Sequence, residues 1–250
     1  MGAKKAVVRF ENVSKAFGET KVLQDVSFEV EEGRALVILG RSGTGKSVTL
    51  KLMIGLLKPD HGAIFINDKE IDGLDSRGIS EVRRKMGFLF QSAALFDSIS
   101  VGENVAFPLR RHSRLSEEEI REKVEQTLAQ VRLEGEYDKM PADLSGGMRK
   151  RAAMARAMAF DPALLLVDEP SAGLDPITSA EIDELLIELK SGKKATTLVV
   201  VTHNIPSAKR IAYEVIMLDK GNVIARGSWQ DLEKSDNKIA RQFLKSEGGG

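Results

Sequence analysis

The chain has 250 residues, with 37 Lys plus Arg against 37 Asp plus Glu, so its formal charge at neutral pH is zero. That balance argues against a general polyanion binder, because non-specific nucleic-acid affinity comes from excess cationic charge releasing phosphate counterions, and any phosphate site must therefore be local. Hydrophobic residues make up 42% and charged residues 30%, the mixture of a soluble globular chain, and the lack of cysteine excludes disulfides and thiolate chemistry.

The stretch from Met1 to Lys15 has a Lys pair but no apolar run of the kind a secretory signal needs, and Ala6 stands where a myristoylation signal prefers Ser or Thr. The sequon Asn12-Val13-Ser14 is read as chance. Val7 to Val13 and Val26 to Val30 alternate apolar and polar residues as half-exposed antiparallel strands do, so an antiparallel β-lobe is expected first. Ala35 to Leu39 is a continuous apolar run, the pattern of a central strand buried on both faces. Gly40-Arg41-Ser42-Gly43-Thr44-Gly45-Lys46-Ser47 follows at once and matches the phosphate-loop pattern G-x-x-x-x-G-K-S/T. A helix with apolar Val48, Leu50, Leu52, Met53 and Leu56 is expected to open there. Glycines let backbone N–H groups turn toward phosphate oxygens, and the helix N-terminus adds its positive dipole end. Lys46 would neutralise the β/γ oxygens, and the Ser47 hydroxyl would ligate Mg²⁺.

Gly87 to Gln91 ends a further strand, and from Ser92 to about Phe160 helical signals replace β signals. Ser116 with Glu119 makes a capping box, and Ile120, Val124, Leu128 and Val131 recur at helical spacing, which predicts an inserted helical lobe. Leu144-Ser145-Gly146-Gly147-Met148 precedes the helix Arg149 to Arg156. Its glycines at a helix start expose N–H groups beside the Ser145 hydroxyl and make a second anion site, while Arg149-Lys150-Arg151 reads as a basic helix face. Ala163 to Val167 runs into Asp168-Glu169-Pro170, and two carboxylates at the end of an apolar strand need cations, protons or water. Successive strand side chains point to opposite faces, so Asp168 is assigned to Mg²⁺ and Glu169 to polarising the attacking water. Thr197 to Val201 is a third buried strand, with His203 just past it. The apolar runs are far shorter than the ~20 residues a spanning helix needs, so no membrane crossing is expected. The terminal Gly248-Gly249-Gly250 is low in complexity.

These four ordered motifs, the phosphate loop, the Ser145-Gly146-Gly147-Met148 signature, Asp168-Glu169 and the strand leading to His203, resemble the ATP-binding cassette (ABC) ATPases over nearly the whole chain. The resemblance implies an α/β fold: a P-loop NTPase (RecA-like) core with an N-terminal antiparallel β-lobe and an inserted helical subdomain. It divides the chain into lobe plus core at 1–91 and 160–228, a helical signature subdomain at 92–159, and a C-terminal tail at 229–250. It further implies a head-to-tail dimer in which Ser145, Gly146, Gly147 and Met148 of one copy close over ATP and Mg²⁺ held by the other's loop, Gly40 to Val48. Gln91 looks like the glutamine that senses metal and attacking water, and Phe17 like the aromatic that stacks on adenine, with Val22 beside it. Asp175 falls in a segment that looks like the loop signalling between protomers, and His203 resembles the histidine that contacts γ-phosphate. The sequence departs from the commoner pattern at Met148, where glutamine is usual, and at Val48, where a second hydroxyl is common. The backbone donors survive both changes.

A cassette of this kind implies a separate integral membrane permease, docking at the stretch Ser92 to Arg110, and a location on the cytoplasmic face of the inner membrane. The wording of that stretch, with Gly40 to Gly43, Ser145 to Met148 and Asp175 to Thr178, resembles ATPases of the Mla-type lipid-asymmetry transporters. That implies phospholipid movement between bacterial membranes with an MCE lipid-binding protein. An importer of polar solutes would share every catalytic motif. A soluble cassette acting on nucleic acid or ribosomes is disfavoured by the zero net charge, and a regulatory module without turnover by the presence of both Glu169 and His203.

Overall fold

A computed structural model describes residues 5–192 and 195–246. The glycine run at 248–250 lies outside them. Two sheets organise the chain. The first is antiparallel with strand order β2-β1-β4-β5, formed by β1 (Ala6–Phe17), β2 (Thr20–Glu31), β4 (His61–Ile66) and β5 (Lys69–Glu70). The second has the order β10-β9-β3-β8-β7-β6, formed by β3 (Ala35–Leu39), β6 (Met86–Leu89), β7 (Leu164–Asp168), β8 (Thr197–Thr202), β9 (Glu214–Asp219) and β10 (Asn222–Gly227). All its neighbours pair in parallel except β9 with β10.

The period of two in a strand explains the layering. Val37 and Leu39, Leu165 and Val167, Leu198 and Val200, and Val215 and Met217 face one core. The residues between them, Leu36 and Ile38, Leu164 and Leu166, Val199 and Val201, and Ile216 and Leu218, face the other. Strands buried on both sides read as continuous apolar runs, as Ala35–Leu39 does and as the stretch between Thr197 and Thr202 does. The second core is closed by α1 (Lys46–Met53) and the inner face of the β-lobe, where Phe10 stacks on Phe28 with centroids 4.6 Å apart. The first is closed by helices. Burying such a side chain fully is worth about 1.5–3 kcal/mol.

Between β6 and β7 the described chain is helical, with α3 (Val101–His112), α4 (Glu117–Gln130) and α5 (Gly146–Met158). The Ser116 and Glu119 capping box forms as its spacing predicts, and Ile120, Val124, Leu128 and Val131 are all buried. A two-turn helix, α2 (Ser76–Arg83), precedes β6. After β7 come α6 (Pro176–Ser191) and α7 (Ile205–Ile211), then α8 (Trp229–Glu233) and α9 (Lys238–Ser246) in the tail, which seat Leu232, Ala240 and Phe243 in the first core. One expected helical residue falls outside: α1 stops at Met53, and Leu56 is half exposed. Gly55 takes a left-handed φ of 67°, and Leu56 N–H turns back to the Lys51 carbonyl, a glycine-terminated helix end.

Asp183 on α6 is buried beneath α7, with Oδ1 lacking a hydrogen-bond partner and Oδ2 3.7 Å from Arg210 Nη1. Burial pushes its carboxyl up to about 6, against the opposing pull of Ser207 and Arg210. The folded state thus holds this proton more tightly than the unfolded chain, so stability falls as pH rises from about 4 to about 6 and stays lowered above. Asp183→Asn is expected to flatten that slope and stabilise the fold at pH 7 by about 1–3 kcal/mol. Melting temperatures of both proteins between pH 4 and pH 7 check this; parallel curves would count against it.

Candidate nucleotide site

Because β3, β6, β7 and β8 are parallel, their C-terminal ends lie along one edge of the sheet, in the order β3, β8, β7, β6. Leu39 pairs with Thr202, Val201 with Asp168, and Val167 with Leu89, so the segments after these strands emerge at one level. Ligand sites of open α/β sheets form at such an edge.

The loop from Gly40 to Ser47 begins where β3 ends. A Cβ at Gly40 would lie 2.6 Å from both the Leu218 carbonyl oxygen and Thr44 Oγ1, so only glycine fits. Gly43 and Gly45 have φ of 80° and 102°, and Thr44 closes the loop on itself, its hydroxyl donating to the Arg41 carbonyl over 2.9 Å. Arg41, Ser42 and Gly43 are exposed, whereas Thr44, Gly45 and Lys46 are buried. The N-cap of α1 is Gly45, which offers no side chain to the first helical N–H groups. That end of the helix suits an anion. Val48 packs into the second core, and Val22 approaches the loop so closely that a Cβ on Gly45 would meet Val22 Cγ1 at 3.3 Å.

Lys46 curls inside this loop, donating to the Gly40 carbonyl at 2.8 Å and the Arg41 carbonyl at 3.1 Å, with Glu169 Oε1 3.4 Å away. Ser47 Oγ donates to Asp168 Oδ1 over 2.9 Å, and desolvation raises the Asp168 carboxyl above its ordinary value despite that bond. Glu169 is held by its other oxygen: Oε2 accepts from the His203 N–H at 3.2 Å and lies 2.9 Å from His203 Nδ1. Lys46, Glu169 and His203 form one bonded set and Ser47 with Asp168 a second, adjacent along the chain to the first. Glu169 adopts a left-handed φ of 45°, strained for a side chain of its kind, and the turn aims its carboxylate back across the strand ends.

The donor set fits Mg²⁺. Among the described residues no group of three or more His, Asp or Glu side chains is gathered into a metal cage. A hydroxyl beside one carboxylate is what Mg²⁺ takes when substrate phosphates and water complete its octahedron.

Gln91 is not brought to Ser47 or Asp168. Its side chain is exposed and makes no hydrogen bond among the described residues, while its carbonyl accepts from Lys150 Nζ. Phe17 offers a half-exposed ring with Lys15 Nζ 5.6 Å from its centroid, leaving a face for a planar base. Ser145 caps α5 by accepting from Met148 N–H, with Gly146 and Gly147 in the first turn. A Cβ on Gly147 would fall 2.4 Å from Thr178 Cγ2, so the signature packs directly on the start of α6. Asp175 caps that helix, accepting from the N–H groups of Ile177 and Thr178 at 3.0 Å, and the Thr178 hydroxyl holds its carboxyl below the usual range.

Sequence reasoning missed Lys150, whose ammonium is buried between the Gln91 and Glu169 carbonyls. The signal was present: Gly147, Lys150 and Met154 share one face of α5, and all are buried. It also missed Asn104, fully buried, whose amide oxygen accepts from the Phe96 N–H and whose NH₂ reaches the Phe96, Ile99 and Ser100 carbonyls. That clamp shapes the stretch after Gln91 and presents Phe96 and Phe107, both largely exposed, at a cleft of about 520 Å³ with Ile99, Arg110 and Arg111. No helix is long and apolar enough to cross a membrane among the described residues.

A glycine loop opening a helix after the first strand of a parallel sheet, with a lysine inside it and a carboxylate on its serine, defines a P-loop NTPase core. The ABC transporter family profile matches residues 23–172, and the chain belongs to that family. It is 41% identical over 237 residues to a probable ribonucleotide transport ATP-binding protein, mkl, of Mycobacterium tuberculosis, covering 95% of this chain but 66% of that protein. It is 40% identical over 245 residues to the intermembrane phospholipid transport system ATP-binding protein MlaF of Haemophilus influenzae, covering 98% of this chain and 92% of that one. Its fold matches a dimeric ATP-binding cassette in a post-hydrolysis state bound to ADP and Pi, with a TM-score of 0.81 and 35% identity over 88% of this chain and 98% of that one.

Proposed function

We propose that this chain is the ATP-hydrolysing subunit of a bacterial ABC transporter, working as a pair of identical cassettes that powers a separate permease. The carrying observation is the pair of bonded sets at one sheet edge, Lys46 with Glu169 and His203, and Ser47 with Asp168. Lys46 binds the β/γ-phosphate oxygens, giving up its internal partners to do so. Ser47 and Asp168 would hold Mg²⁺, which would supply charge to neutralise the phosphates. Glu169 accepts a proton from the attacking water, His203 orients that carboxylate, and Phe17 stacks on the base. Ser145 stands exposed at the helix start, with Gly147 buried just behind it, and the two complete the site of a second copy, a reading supported by the dimeric relative.

The cargo we propose is phospholipid, moved between inner and outer membrane with an MCE protein, the cassette sitting on the cytoplasmic face against its permease. The near full-length match to MlaF supports this, and the exposed Phe96 and Phe107 cleft supplies an apolar seat for a permease segment. The mkl match favours a second reading, import of a polar solute. Purification of the tagged chain with its native membrane partners, followed by mass spectrometry, separates them. An MCE protein with bound phospholipid is the expected result; a solute receptor without lipid would overturn the lipid assignment.

A further inference from the structure

We infer that Lys150 is a positioning residue that ties the signature helix to the catalytic carboxylate, so that the strut from α5 sets the conformation in which Glu169 can act. This rests on the proposed ATPase reading and assigns a role within its site.

The geometry carries it. Lys150 lies on α5, one turn beyond Gly147 and on the same buried face. Its ammonium reaches across to two other segments, donating to the Gln91 carbonyl and, at 3.4 Å, to the Glu169 carbonyl. A buried ammonium is costly unless its donors are used. Here it spans the ends of β6 and β7 from a helix belonging to neither. The Glu169 carbonyl also accepts from Ala172 N–H at 3.2 Å, and Glu169 N–H donates to the Val201 carbonyl at 2.9 Å. The strained φ of 45° is thus clamped on both sides of the residue, and Lys150 is the clamp contributed by the helical region. One turn nearer the start of the same helix, Ser145 and Gly146 form the surface that the second copy's nucleotide would meet. A push on that end is delivered to Glu169 and to Gln91 by the same side chain.

The charged and titratable groups facing Lys150 are Asp168 and Glu169 from the end of β7, with His203 from β8 and Lys46 from α1 acting through Glu169. Burial lowers the Lys150 ammonium below the usual lysine range, and Asp168 and Glu169 oppose that fall.

The test is steady-state ATP hydrolysis by the full chain and by Lys150→Met and Lys150→Arg, with ATP affinity and melting temperature measured alongside. Lys150→Met should lower kcat about tenfold or more, with KM for ATP within about twofold. Lys150→Arg should restore most of kcat, because a guanidinium still donates to both carbonyls. Wild-type kcat in Lys150→Met, or no recovery of kcat in Lys150→Arg, would overturn the inference. A merely structural lysine would show kcat, affinity and melting temperature falling together in both variants, which also overturns it. A wild-type chain that hydrolyses no ATP, even with its membrane partners, refutes the ATPase reading instead.

Discussion

Glu169→Gln is expected to cut steady-state ATP hydrolysis by roughly 10²- to 10⁴-fold, the usual cost of losing a general base, while the chain still binds ATP. The substitution keeps the shape of the side chain and changes two things. An amide cannot accept the proton of the attacking water. It also cannot pair with Lys46, which in this structure lies 3.4 Å from Glu169 Oε1. The second change works in favour of substrate: an ammonium freed from a carboxylate is more available to phosphate oxygens. ATP affinity should therefore be unchanged or tighter, and a nucleotide-bound dimer should accumulate because closure is no longer followed by cleavage. Size-exclusion chromatography with and without ATP, beside a phosphate-release assay, reads both parts. Turnover within a few-fold of wild type would remove Glu169 from the role of base.

The phosphate loop was legible in the sequence because its requirements are local: glycine wherever the backbone leaves no room or takes positive φ, lysine and serine at fixed offsets. The strand that carries it, β3, and the apolar stretches of β7 and β8 beside it were equally plain, since burial on both faces leaves continuous apolar runs. By contrast the four-residue apolar run Val215 to Leu218 of β9, closed off by Glu214 and Asp219, is short enough to pass unread, and β10 has no fully buried residue, yet β9 adjoins β3 and extends the sheet. Contacts between distant segments were the least visible. That Lys46 shares Glu169 with His203, or that Lys150 leaves a run of basic residues for the interior, depends on which strand ends are neighbours. The Gln91 side chain shows the converse. Its place at the end of β6 could be read, but where its amide points could not, because no neighbour in this structure holds it.

Lys46→Ala should fail at an earlier step than Glu169→Gln. An ammonium bonded to phosphate makes charge-assisted hydrogen bonds worth about 1.5–3 kcal/mol each, so ATP affinity should drop by roughly 10- to 100-fold or more, with hydrolysis lost in proportion. The same change strips a buried carboxylate of its cation. Glu169 is 9% exposed at its side chain and keeps only His203, so the folded protein should also be less stable, a cost distinct from lost binding. The double variant Lys46→Ala with Glu169→Gln separates the two. A neutral amide needs no cation, so melting temperature should recover toward wild type, whereas ATP binding should stay weak because the phosphate still lacks its ammonium. Calorimetric titration with ATP on all three variants decides the matter. If affinity returned together with stability, Lys46 would be a structural partner of Glu169 and the phosphate-binding role would pass to the backbone of the loop alone.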